Sequence, residues 1–126
     1  MTAAAPSPAL PHGIGPHEGR ERALLLAGDK HIAYFSGHEP DWLPDFMAAC
    51  SDAFGWVTWQ DAFHERVFSS HVVFRRGHEE RAEELIALLT ASPARWDAVY
   101  ERRIGELLSY SPAEIDAWIT WIMRER

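Results

Sequence analysis

Cysteine is almost missing from this chain: Cys50 is the only one in 126 residues. No intrachain disulfide can form, and the zinc spacings that need paired cysteines are absent. That suits a reducing compartment, so a cytoplasmic location is the expectation. Lysine is equally scarce. Of the twelve basic residues only Lys30 is lysine; the rest are arginine. Against 19 acidic residues this leaves a formal charge of −7. Diffuse attraction to a polyanion needs a basic face, so neither nucleic acid nor an anionic membrane is an expected partner. No apolar run approaches the roughly 18 residues that a membrane-crossing helix needs. The opening stretch lacks the basic and apolar segments of a secretory leader. No Ser-His-Asp order, nucleotide loop or H-E-x-x-H is present; His64-Glu65 has no second histidine at the required place.

What is present suits a folded domain. Hydrophobic residues make up 47% and there are six tryptophans, far from the composition of disordered chains. Residues 1–16 hold four prolines, two glycines and little to bury. They read as a disordered Ala/Pro-rich tail, with residues 17–126 as one globular domain.

The chain is organised around Ser69 to Thr90. Val72, Val73 and Phe74 have the composition of a buried strand. Arg75, Arg76 and Gly77 break the run. Ala82, Leu85, Ile86 and Leu89 then recur at helical spacing, so a helix packs back on the strand.

Upstream, residues 17–28 admit a short helix ending at Gly28 or a hairpin strand turning at Gly28-Asp29; Leu and Ala favour the helix. His31 to Ser36 reads as a strand, with Ile32 and Tyr34 on one face and Ala33 and Phe35 on the other. Asp41 to Phe54 reads as a helix with Asp41 as N-cap, Pro44 in the first turn and Gly55 as the stop. Cys50 lies on its apolar stripe, as a core residue. For residues 56–68, Thr58 and Asp61 resemble a capping box, and Trp59, Ala62, Phe63 and Val67 share a helical face. The alternative is a strand from Trp56 to Trp59.

The last third reads as two helices. Ser92-Pro93 opens one, with Trp96, Val99, Tyr100, Ile104, Leu107 and Leu108 as its stripe. Ser111 and Glu114 form a capping box for the other, whose apolar face is Ile115, Trp118, Ile119 and Ile122. The short link predicts an αα-hairpin. The expected class is therefore α+β and helix-dominated: a small sheet of two to four strands, four or more covering helices and a C-terminal αα-hairpin.

Gly-His-Glu occurs twice, at Gly37-His38-Glu39 and Gly77-His78-Glu79, each between a strand and a helix. If the two strands run parallel and side by side, His38, Glu39, His78 and Glu79 converge at one sheet edge. Two imidazoles and two carboxylates suit a divalent metal (Zn, Mn or Fe) that could activate water. The simpler account is that Gly permits the turn and Glu meets the helix dipole. Arg75 and Arg76 precede a helix N-terminus and could hold a phosphate or carboxylate, or merely offset the acidic helix beside them. The even spacing of His64, His71 and His78 crosses a strand and carries no meaning. His12, His17 and His31 have no partner that the sequence names. Trp118 falls on the core stripe; Trp121 is off it and is a candidate partner contact.

With no reaction specified by any motif, a non-enzymatic binding or regulatory module acting through protein–protein contacts is the leading expectation. A metal-dependent enzyme at the two Gly-His-Glu turns is the alternative. An acidic mimic of nucleic acid is a further one.

Overall fold

The computed structural model describes residues 17, 19–37, 39–63, 65–91 and 97–125. The expected tail, residues 1–16, lies outside them, as do His38, His64 and the Ser92-Pro93 helix start with Trp96. The described elements are α1 (Glu21–Ala27), β1 (Ile32–Gly37), α2 (Leu43–Cys50), β2 (Phe54–Phe63), β3 (Arg66–Arg75), α3 (Glu79–Thr90), α4 (Ala98–Leu107) and α5 (Pro112–Glu125). Five helices surround a three-stranded antiparallel sheet of order β1-β3-β2 among these residues. This is the helix-dominated α+β class that the hydrophobic patterning predicts.

The central strand divides the core by its two-residue period. On one face Val73 joins Ala33 and Phe54 under Leu25 of α1 and Leu43 and Phe46 of α2. On the other, Val72, Phe74 and Ile32 meet Ala82 and Leu85 of α3 and Leu107 of α4. So α3 does fold back on β3. Leu85 and Val72 are fully buried, which contributes roughly 2 kcal/mol each from apolar area alone.

Residues 56–63 and 65–68 are not helical. They form most of β2 and the start of β3, a hairpin whose strands pair from Phe54↔Arg75 to Phe63↔Arg66. Trp, Val, Thr and Phe fit a pleated, half-buried surface better than a helix. Thr58 and Asp61 do not cap anything: the Thr58 hydroxyl lies 3.0 Å from His71 Nδ1, and Asp61 accepts a 2.7 Å hydrogen bond from Ser70. The strand expected at Val72 to Phe74 accordingly starts six residues earlier, at Arg66. The helix expected over Asp41 to Phe54 is shorter. It begins after Trp42, has no side-chain N-cap, and ends at Cys50, so Gly55 lies within β2 and not at a helix stop.

Local chemistry explains the remaining ends. Gly28 takes a left-handed conformation (φ 84°) and its N–H closes α1, the geometry that glycine adopts without a Cβ penalty. Asp97 caps α4 by accepting from the Val99 and Tyr100 amides. The Ser111–Glu114 capping box forms as expected, with reciprocal bonds of 2.8 and 3.1 Å. The α4–α5 hairpin closes tightly. A Cβ on Gly105 would stand 2.7 Å from Ile115 Cγ1, so glycine is what lets the helices approach.

Candidate functional site

The antiparallel pairing decides the fate of the repeated turns. Ile32 lies opposite Phe74 and Gly37 opposite Ser69. The chain therefore leaves β1 at one end of the sheet and leaves β3 at the other. Five strand steps of about 3.3 Å separate the two levels, about 17 Å. The convergence of His38, Glu39, His78 and Glu79 required parallel strands, and the strands are not parallel. His38 is outside the described residues, and Glu39 is partly buried at the far end. His78 stacks instead on His31, ring centroids 4.3 Å apart. Glu79 accepts from the Gly77 amide at 2.8 Å and serves its own turn. Among the described residues no group of three or more His, Cys, Asp or Glu is placed to hold a metal ion.

Arg75 and Arg76 have structural partners. Arg75 donates to the Leu25 carbonyl at 2.6 Å, and its guanidinium lies 4.7 Å from the Phe54 ring centroid. Arg76 donates to the Ser51 carbonyl at 3.2 Å. They tie the end of β3 to α1 and to the loop after α2. Burial, then the charges of His78, Arg75 and Arg81, hold His31 below the usual histidine range.

Two polar clusters escaped the sequence reading. The first surrounds Lys30, which is 2% exposed. Its Nζ donates to the Leu108 carbonyl and to His17 Nδ1 at 2.9 Å, and sits 4.9 Å from the Tyr110 ring centroid. His17 stacks on Tyr110 at 4.1 Å, and its Nε2 lies 3.8 Å from Glu114 Oε1. Burial lowers Lys30 to about 8, opposed by Glu21 and Glu114. Burial, and then the Lys30 charge, lowers His17 to about 4. A neutral His17 accepts the ammonium proton at Nδ1 and turns Nε2–H toward Glu114. The cluster clasps the residues before β1 to the α4–α5 turn. The chain's single lysine, set between Gly28-Asp29 and a strand, was the only hint of it.

The second cluster is in the middle of β3. Ser70 is fully buried and bonded to Asp61. His71, 4% exposed, has Nδ1 3.3 Å from Trp56 Nε1 and 3.0 Å from the Thr58 hydroxyl. An indole N–H only donates, so Nδ1 accepts and the proton sits on Nε2. That nitrogen is buried and has no partner among the described residues.

Exposed apolar side chains occur on both helices of the α4–α5 hairpin. Trp118 Nε1 donates to Glu101 at 3.0 Å and Arg102 donates to Asp116 at 2.8 Å, which sets the start of α4 beside the first half of α5. Val99 on α4 is 77% and Met123 on α5 63% exposed. Trp121 stacks on Trp118 with centroids 5.4 Å apart, and both rings are only half-buried. A separate groove of about 320 Å³ runs between α1 and α2, lined by Arg22, Leu26, Trp42, Asp45, Phe46 and Cys50. Cys50 thus borders a groove as well as packing on the core.

No family model and no curated protein matches the chain. Among solved structures it is similar to the bacterial cysteine methyltransferase effector NleE, with a TM-score of 0.60 and 23% identity. The match covers 85% of this chain but 63% of that one. The likeness is one of fold, and the chain spans less than two thirds of the neighbour's length. Among the described residues no helix is long and apolar enough to cross a membrane.

Proposed function

We propose that the chain is a binding module that engages a protein partner through the Trp118–Trp121 face of α5. The observation that supports this is the stacking of two half-buried tryptophans, Trp118 and Trp121, about one turn apart on α5. Single exposed apolar residues are ordinary, but paired, part-exposed tryptophans suit the centre of an interface. The exposed Arg102–Asp116 pair stands beside it as a polar rim. With a net charge of −7, the complementary surface is apolar at its centre and basic at its edge. Trp121→Ala should cost about tenfold or more in affinity for the partner, since interface tryptophans contribute 2 kcal/mol or so. Unchanged affinity would exclude this surface.

A second reading, methyl transfer, rests on the resemblance in fold to a cysteine methyltransferase. Fold alone does not carry an activity. Titration with S-adenosylmethionine decides it: saturable heat would favour transfer, and none at millimolar donor would leave the binding reading alone.

A further inference from the structure

We propose that the free edge of β2 pairs with the β2 of a second copy of this chain, antiparallel about a twofold axis, joining two three-stranded sheets into one of six strands. β2 is ten residues long, lies at the edge of the sheet, and pairs along its whole length with β3. No backbone hydrogen bond reaches it from any other described residue. Every second N–H and C=O along it therefore faces outward, a ready template for another strand.

Natural edges are usually blunted by lysine, proline, bulges or a covering element. Among the described residues β2 has none of these. Its sequence, FGWVTWQDAF, contains no proline, lysine or arginine. Its register with β3 runs without a slip from Phe54↔Arg75 to Phe63↔Arg66, so no bulge twists it away. Its one charge, Asp61, is engaged by Ser70 of the same sheet. Val57, Thr58, Gln60 and Ala62 are exposed, so the described helices do not cover this stretch. β1 also lies at an edge, but it is six residues long and ends in glycine.

The strand suits itself as a partner. With Thr58 on the twofold, Val57 falls opposite the second copy's Trp59, Trp56 opposite its Gln60, and Asp61 opposite its Gly55. An aromatic–β-branched pair forms on each side, and no like charges oppose each other. This matters in a chain carrying −7, where a random encounter of two copies is repulsive.

Sedimentation of the full chain over a range of concentrations tests the pairing. A monomer–dimer equilibrium is expected, with Val57→Lys and Gln60→Lys each weakening it about tenfold or more. Both positions are exposed, so the variants should keep the wild-type circular dichroism. A monomer at every concentration overturns the proposal, and so does a dimer that both lysine variants retain. If either variant fails to fold, amide exchange of the wild type decides. Alternate β2 amides should exchange more slowly at high than at low concentration, and equal rates would overturn the pairing.

Discussion

Acidification should open the clasp between the residues before β1 and the α4–α5 turn, and the structure sets the size of the effect. His17 takes its proton near 6.5 in the unfolded chain but only at about 4 in the folded one. Between those values the unfolded state binds more protons, so stability falls as pH drops from about 6.5 to about 4. At about 1.4 kcal/mol for each pH unit of that gap, the loss is about 3 kcal/mol. The cause is physical contact. A protonated His17 would set a second cation 2.9 Å from the Lys30 ammonium, in a site where both are buried. Glu114, 3.8 Å from Nε2, offsets part of this but not all. Urea unfolding of the wild type and of His17→Gln, at several pH values from 7 to 4, measures it. Gln can still accept from Lys30 but cannot titrate. The wild type should lose more stability than the variant, by about 3 kcal/mol at the acid end. Curves that fall in parallel would refute the reasoning, because His31 and the carboxylates titrate in both proteins.

Lys30 makes the matching prediction at alkaline pH: its folded value of about 8 lies below the usual 10.5, so stability from this group rises as pH goes from about 8 to about 10.5. Asp61→Ala should cost about 1–3 kcal/mol in thermal or urea unfolding, because it leaves the fully buried Ser70 hydroxyl without its acceptor. Gly105→Val should lose about 1–3 kcal/mol, since even its Cβ meets Ile115 at 2.7 Å. Elemental analysis of untagged protein should give the same metal content for the wild type and for His38→Ala/His78→Ala, as the two turns leave the sheet at opposite ends.

How much of this could be read from residues alone follows from how local each signal is. The β3–α3 unit was legible because Val72 to Phe74 and the Ala82–Leu89 stripe each carry their own period. The Ser111–Glu114 box is short-range chemistry and was equally plain, whereas Gly28 suited a helix stop or a hairpin turn and ends α1. The β2–β3 hairpin was not, for two reasons. Trp59, Ala62, Phe63 and Val67 also fit a helical face. The turn gives no warning either: Glu65 takes a positive φ of 66° without the glycine or asparagine that usually marks such a turn. Strand direction was beyond reach, because β1 and β3 pair across the intervening α2 and β2. That single unknown is what separated the two Gly-His-Glu turns. The Lys30 clasp is the longest-range feature: its ammonium meets a carbonyl 78 residues further along, and no local pattern encodes that.

The binding reading stands or falls on where a partner touches. A photo-reactive amino acid placed at Ala117 or Arg124, exposed positions about one turn either side of Trp121 on α5, in the cells that make the protein, reports this most directly. The expected result is one cross-linked protein shared by both positions. It should be absent when the probe is moved to Glu80 on the exposed side of α3, and diminished by Trp121→Ala. Equal cross-linking at all three positions, or none at Ala117 and Arg124, would contradict the account.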